Sequence, residues 1–201
     1  MTLSKWFRLY GFTLLLGTVI MMVTGLIRFV FDGNFEQQFQ VDHFGYFLIF
    51  LFLFGTIYGT FSHIMFFCFL VINLLGKGII HYRFLWQGIQ LIVVISFVII
   101  NHAYIKEMYI SAFTLLVSAL LVAYYKSRLT NYNAFIPTFF FMSIGTLVAM
   151  VPVWNEEKEL LFILPTVLVC NAWQIIQLHQ LVKNNATTTD SESNGSANSN
   201  L

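Results

Sequence analysis

The sequence predicts an all-α fold, a polytopic transmembrane helix bundle of about six spans with both termini cytoplasmic. Three observations lead there. The 201 residues are 58% hydrophobic and only 9% charged, whereas soluble domains run about 25% charged, so a water-facing surface cannot be built from them. The ten Lys+Arg and nine Asp+Glu are clustered between long uncharged stretches. Cutting the chain at those clusters leaves six stretches near or above the roughly 20 apolar residues that a helix needs to cross a bilayer.

The first stretch, Leu9 to Ile27, follows Lys5 and Arg8 as a secretory signal would. It exceeds the roughly 7 to 15 residues of a signal core and has no small-x-small cleavage site behind it, so it is expected to be a retained span. The second, Phe44 to Gly76, holds no Asp, Glu, Lys or Arg. At 1.5 Å per residue it makes about 50 Å of helix, too long for one upright span and too short for two with a turn; one long tilted or protruding helix is expected. The third runs from Phe84 to Ile105 and the fourth from Met108 to Tyr125, parted only by Lys106 and Glu107 in a tight hairpin. The fifth, Tyr132 to Trp154, contains Pro137 and Pro152; the sixth, Leu160 to Val182, contains Pro165. Residues 1–183 thus form the six-span domain. The polar run 184–201 cannot bury enough apolar area to offset chain entropy and is expected to be disordered and cytoplasmic.

Short cytoplasmic loops retain Lys and Arg. With the N-terminus inside, Lys5, Arg8, Lys77, Arg83, Lys126, Arg128 and Lys183 are cytoplasmic against Arg28, Lys106 and Lys158 outside, seven to three. A seventh span would destroy that alternation. Trp6, Trp86 and Trp154 then lie at membrane interfaces, where an amphipathic ring sits well.

Little points to chemistry. His43, His63, His81, His102 and His179 are scattered without ligand spacing, no Asp or Glu falls within a span, and Ser62 lacks the glycine that would follow it in a nucleophile elbow. No catalytic residue, cofactor or metal is therefore expected, and Cys68 and Cys170 read as packing residues. A formal net charge of +1 gives no reason to expect a nucleic-acid partner.

Polar and small residues in register remain. On the second stretch Gly55, Gly59, Ser62, His63, Phe66 and Asn73 share about a third of the helical circumference, a face suited to close helix contact within the bundle or to a partner's span. Gln87 with Gln90, and Asn171 with Gln174 and Gln177, form two amide stripes inside the membrane. These either satisfy one another or line a path.

The run Ser62-His63-Ile64-Met65-Phe66-Phe67-Cys68-Phe69-Leu70, followed by Gly76-Lys77-Gly78-Ile79, Leu85-Trp86 and Gln90, resembles the KinB-signalling pathway activation (KbaA) family. That family consists of multi-pass membrane proteins of endospore-forming bacteria. The resemblance implies a non-enzymatic protein of the bacterial plasma membrane that promotes activation of a sensor histidine kinase feeding the sporulation phosphorelay. Its partners would be the lipid bilayer and that kinase, met through the small-residue face or through a cytoplasmic loop carrying Gly76, Lys77, Gly78 and Arg83. The rival reading is a small transporter or channel with an amide-lined path.

Overall fold

The computed structural model describes residues 3–31, 44–104, 109–153 and 159–178. Among these there are six helices and no strand: α1 (Leu3–Phe31), α2 (Phe44–Ile79), α3 (Arg83–Tyr104), α4 (Tyr109–Leu129), α5 (Tyr132–Val153) and α6 (Glu159–Leu178). All but α3 are long and apolar enough to cross a membrane with few charges. The 22 residues of α3 make about 33 Å of helix, near the hydrocarbon thickness of about 30 Å. The fold is a polytopic helix bundle. The expected tail 184–201, the turn at Lys106 and Glu107, Trp154 and Lys183 lie outside the described residues.

The long second stretch is one unbroken helix of 36 residues. It pairs antiparallel with α1 along nearly all of α1's length, in constant register: Trp6 meets Phe67 at 6.3 Å, Tyr10 meets His63 at 5.0 Å and Phe29 meets Phe44 at 5.8 Å between ring centroids. Between them the Thr18 and Thr56 hydroxyls lie 3.3 Å apart. Close approach is possible at the middle because both backbones are bare there. A Cβ on Gly55 would stand 2.6 Å from the Thr18 Cα, and one on Gly17 would stand 2.8 Å from the Gly55 carbonyl oxygen.

The best buried of the apolar spans is α6, which runs through the centre of the bundle. It touches α1 at Met21 through Thr166 and at the Thr13 carbonyl through Cys170. It meets α2 at Ser62, α4 at Lys126 and α5 at Thr146. Phe66, Phe141, Met21 and Leu51 share its core cluster. Outside this ring α3 packs on the last turns of α2 and the first turns of α5.

One span is irregular. α5 opens with a 3-10 turn whose Asn131 side chain accepts from the Asn133 amide, continues as α-helix over Phe135–Phe140, widens to a π-helical turn at Phe141–Gly145, and closes through Thr146–Met150 into a second 3-10 turn at Pro152. The π turn carries one extra residue per turn. Its inward side is occupied by Phe141, Met142 and Ser143, all buried.

Candidate functional site

The small-residue face of α2 is engaged from within the chain, and by four different helices. Gly55 and Gly59 lie against α1, with a Cβ on Gly59 meeting the Leu14 Cα at 3.3 Å. Half-buried His63 sits between the Trp6 and Tyr10 rings of α1 at 6.3 and 5.0 Å. Phe66, fully buried, packs edge-on to Phe141 of α5 at 5.6 Å.

Ser62 belongs to a polar layer. Its hydroxyl donates to Asn171 Oδ1 at 2.7 Å and accepts from Gln174 Nε2 at 3.1 Å, while Asn171 Nδ2 donates to Thr146 Oγ1 at 3.0 Å. All four side chains are fully buried. The layer joins α2, α5 and α6 through three bonds, each of a kind worth about 0.6 kcal/mol on average, and at most about 1.7, in a membrane bundle. The amide stripe of α6 therefore finds hydroxyl partners on other helices, not the amides of α3. Gln177 is half-buried one turn further on. On α3, Gln90 is buried and Gln87 donates to the Asn133 carbonyl at 3.1 Å.

Asn73, Gly76 and Trp86 make a third arrangement. The indole of Trp86 lies on the bare backbone of Gly76, where a Cβ would stand 2.3 Å from the ring, and its N–H donates to Asn73 Oδ1 at 3.1 Å. Trp86 is thus a clasp holding α3 to the end of α2, beyond the interfacial anchoring expected of it. The connection is only Ile80–Tyr82, closed by the Ile80 amide donating to the Gly76 carbonyl and the Trp86 amide to that of Tyr82. Lys77, Gly78 and Arg83 are exposed around it.

Lys126 is the one charged side chain buried among the described residues, at 5% exposure. Its ammonium donates to the Ile175 carbonyl at 2.6 Å and to that of Ile176 at 3.4 Å, in the last described turn of α6. The sequence offered Lys126 only as a loop cation. Thr146 and Gly17, partners of Asn171 and Gly55, carried no signal beyond being small residues inside apolar stretches.

These contacts bring one end of every helix together. The start of α1, the end of α2, the start of α3, the end of α4, the start of α5 and the described end of α6 lie on the same side, and among the described residues that side carries Lys5, Arg8, Lys77, Arg83, Lys126 and Arg128 with no acid. The described charges of the opposite side are Arg28 and Glu159. No three described His, Cys, Asp or Glu converge as metal ligands.

The sequence pattern described as KinB-signalling pathway activation in sporulation, KbaA, matches residues 17–181. That match takes in the polar layer, the clasp and Lys126. The chain belongs to the KbaA family. It is similar to the KinB-signaling pathway activation protein of Bacillus subtilis (strain 168), with 24% identity over 175 residues covering 78% of this chain and 88% of the relative. No solved structure matches. Every residue of the motif that suggested the KbaA family from sequence lies inside the matched region, and its parts have distinct positions. Ser62 and Phe66 are core, Gly76 and Trp86 form the clasp, and Lys77 and Gly78 are exposed.

Proposed function

We propose that this KbaA-family chain is a multi-pass protein of the bacterial plasma membrane that promotes activation of a KinB-type sensor histidine kinase, and through it the phosphorelay leading to sporulation, without catalysing a reaction itself. The observation that carries the reading is the family match, which reaches from the middle of α1 past the described end of α6. Both termini are assigned to the cytoplasm, a placement supported by the six described cations on their side of the bundle and the retention of Lys and Arg in cytoplasmic loops.

Such a protein activates a kinase only by binding its active conformation more tightly than its inactive one. A tenfold shift in population needs about 1.4 kcal/mol of difference, within reach of a few contacts. Those contacts are assigned to the cytoplasmic end at Lys77–Arg83 in preference to the Gly55–Gly59 face, because that face is filled by α1. The bonding of Asn171 and Gln174 to Ser62 and Thr146 favours these two amides of α6 as internal ties over the lining of a path.

The test is a strain lacking this gene, scored for sporulation and kinase phosphorylation, with the tagged chain restored and solubilised in mild detergent. Recovery of both functions, with the kinase in the purified complex, is the expected result. Full kinase phosphorylation in the deleted strain sinks the proposal.

A further inference from the structure

Helix α5 changes its winding between two parts that are tied to different neighbours. In its first part, residues 132–140, Pro137 has no N–H, so the Asn133 carbonyl four residues back lacks a helical donor. Gln87 of α3 supplies one at 3.1 Å. The last part is tied to α6, where Asn171 donates to Thr146 at 3.0 Å. The π turn Phe141–Gly145 stands between the two. Such a turn holds one residue more than the α-helical turn it replaces. Its conversion to α-helix, with the last part held, therefore advances the first part by one residue, about 100° and 1.5 Å.

Two buried polar side chains show that hydrogen bonding is incomplete in the present form. Ser143 lies inside the π turn at 1% exposure, and its hydroxyl has no partner among the described residues. On regular α-helix in the same chain, the hydroxyls of Thr13, Thr56, Ser127 and Thr130 donate to the carbonyl three or four residues back. Rewound as α-helix, Ser143 gains that acceptor at Phe139 or Phe140. Gln90 lies one turn beyond Gln87 on α3, also at 1% exposure, and neither of its amide atoms has a partner among the described residues. A buried polar group left unbonded destabilises the arrangement that leaves it so.

The π form has interactions of its own to set against these. It turns both Thr138 and Thr146 inward and seats Phe141 against Phe66 and Phe69 at 5.6 and 4.9 Å between ring centroids. Each form gives up contacts that the other makes, the condition under which two packings of one sequence lie close in free energy.

We infer that α5 is a two-state helix, in which the π turn alternates with regular α-helix and the change moves residues 132–140 against a fixed α6. The Gln87 bond carries α3 along. Because the Trp86 clasp holds the first turn of α3 to the end of α2, α3 pivots there and its further turns swing through the lipid, where Ile92, Ile95 and Ile99 are exposed. This goes beyond the proposed function and does not rest on it, since each test reads a distance within the chain.

The experiment measures distances between paired spin labels on the full chain in lipid nanodiscs, after Cys68 and Cys170 are changed to Ser. Val19 on α1, Ile92 on α3 and Val148 in the last part of α5 are exposed and carry the labels. The expected result is two distances between positions 19 and 92, at least about 5 Å apart, and one between 19 and 148. Deleting Ile144 removes the surplus residue and should leave one distance between 19 and 92 with that between 19 and 148 unchanged. Ser143→Ala provides a second variant should the deletion fail to fold. It should shift the two populations about threefold by removing a bond that only the α form makes. A single 19–92 distance in the unmodified helix, two distances that persist after the deletion, or populations indifferent to Ser143→Ala would each overturn the inference.

Discussion

Gly55 and Gly59 face the same helix at different clearances, which makes them a test of what holds α1 to α2. A methyl at Gly55 would stand 2.6 Å from the backbone of Thr18, which cannot rotate away, whereas one at Gly59 meets backbone at 3.3 Å. Overpacking of this kind costs about 1 to 3 kcal/mol. Gly55→Ala is therefore expected to lower the unfolding temperature in detergent clearly, and Gly59→Ala little or not at all; equal effects would mean the register is wrong. Ser62 makes a second case. Ser62→Ala removes the donor to Asn171 and the acceptor for Gln174 together, with an expected loss of about 1 to 2 kcal/mol in a steric-trapping measurement. A loss below about 0.3 kcal/mol would remove the polar layer as a tie between α2 and α6. The small-residue stripe was legible in the sequence because Gly, Ser and His recur at helical spacing. Its partners were not, since Ser62 and Asn171 are 109 positions apart and nothing local in either segment specifies the other.

At the scale of elements, charges interrupt the apolar stretches, because a bilayer penalises an unpaired charge wherever it falls and so imprints boundaries on the sequence. Irregularity inside a helix leaves no such imprint. Across the π turn at Phe141–Gly145, Thr138 and Thr146 are both buried; eight residues of plain α-helix turn about 80° past two full turns, and the widened turn takes up that excess. One residue is therefore surplus. Deleting Ile144 should convert the turn to regular α-helix while keeping Thr146, Ala149 and Met150 on the buried side. The deletion is expected to yield a folded, detergent-stable protein, whereas deleting Phe54 from the regular middle of α2 should not, since it rotates Gly55 by about 100° relative to Leu51. Comparable loss of folded protein in the two would count against the π turn. The clasp was half legible in the same way. Trp86 carried the signal of an amphipathic ring near a membrane interface, and only the tertiary placement of Gly76 beneath it reveals the contact.

The whole molecule is polarised in charge, and the direction proposed for it in the membrane rests on that polarity. Six described cations cluster at the end bearing the start of α1, the Ile80–Tyr82 connection and the turn before α5, and translocating them across the membrane potential would cost about 2.3 kcal/mol per charge per 100 mV. Lys126 is bound to α6 carbonyls, but Lys77 and Arg83 are exposed and bear that cost in full. Single cysteines test the direction after Cys68 and Cys170 are changed to Ser. A cysteine replacing Tyr82 or Tyr132, which are 79 and 78% exposed on the basic end, should react in intact cells with a membrane-permeant maleimide and be spared by a charged one. A cysteine replacing Phe31, 85% exposed at the far end of α1, should react with both. The reverse pattern would place the basic end, with Lys77 and Arg83, outside the cell, away from any cytoplasmic kinase domain, and would overturn the orientation. Labelling of all three positions by the charged reagent would indicate a mixed population, in which the basic cluster does not fix the topology.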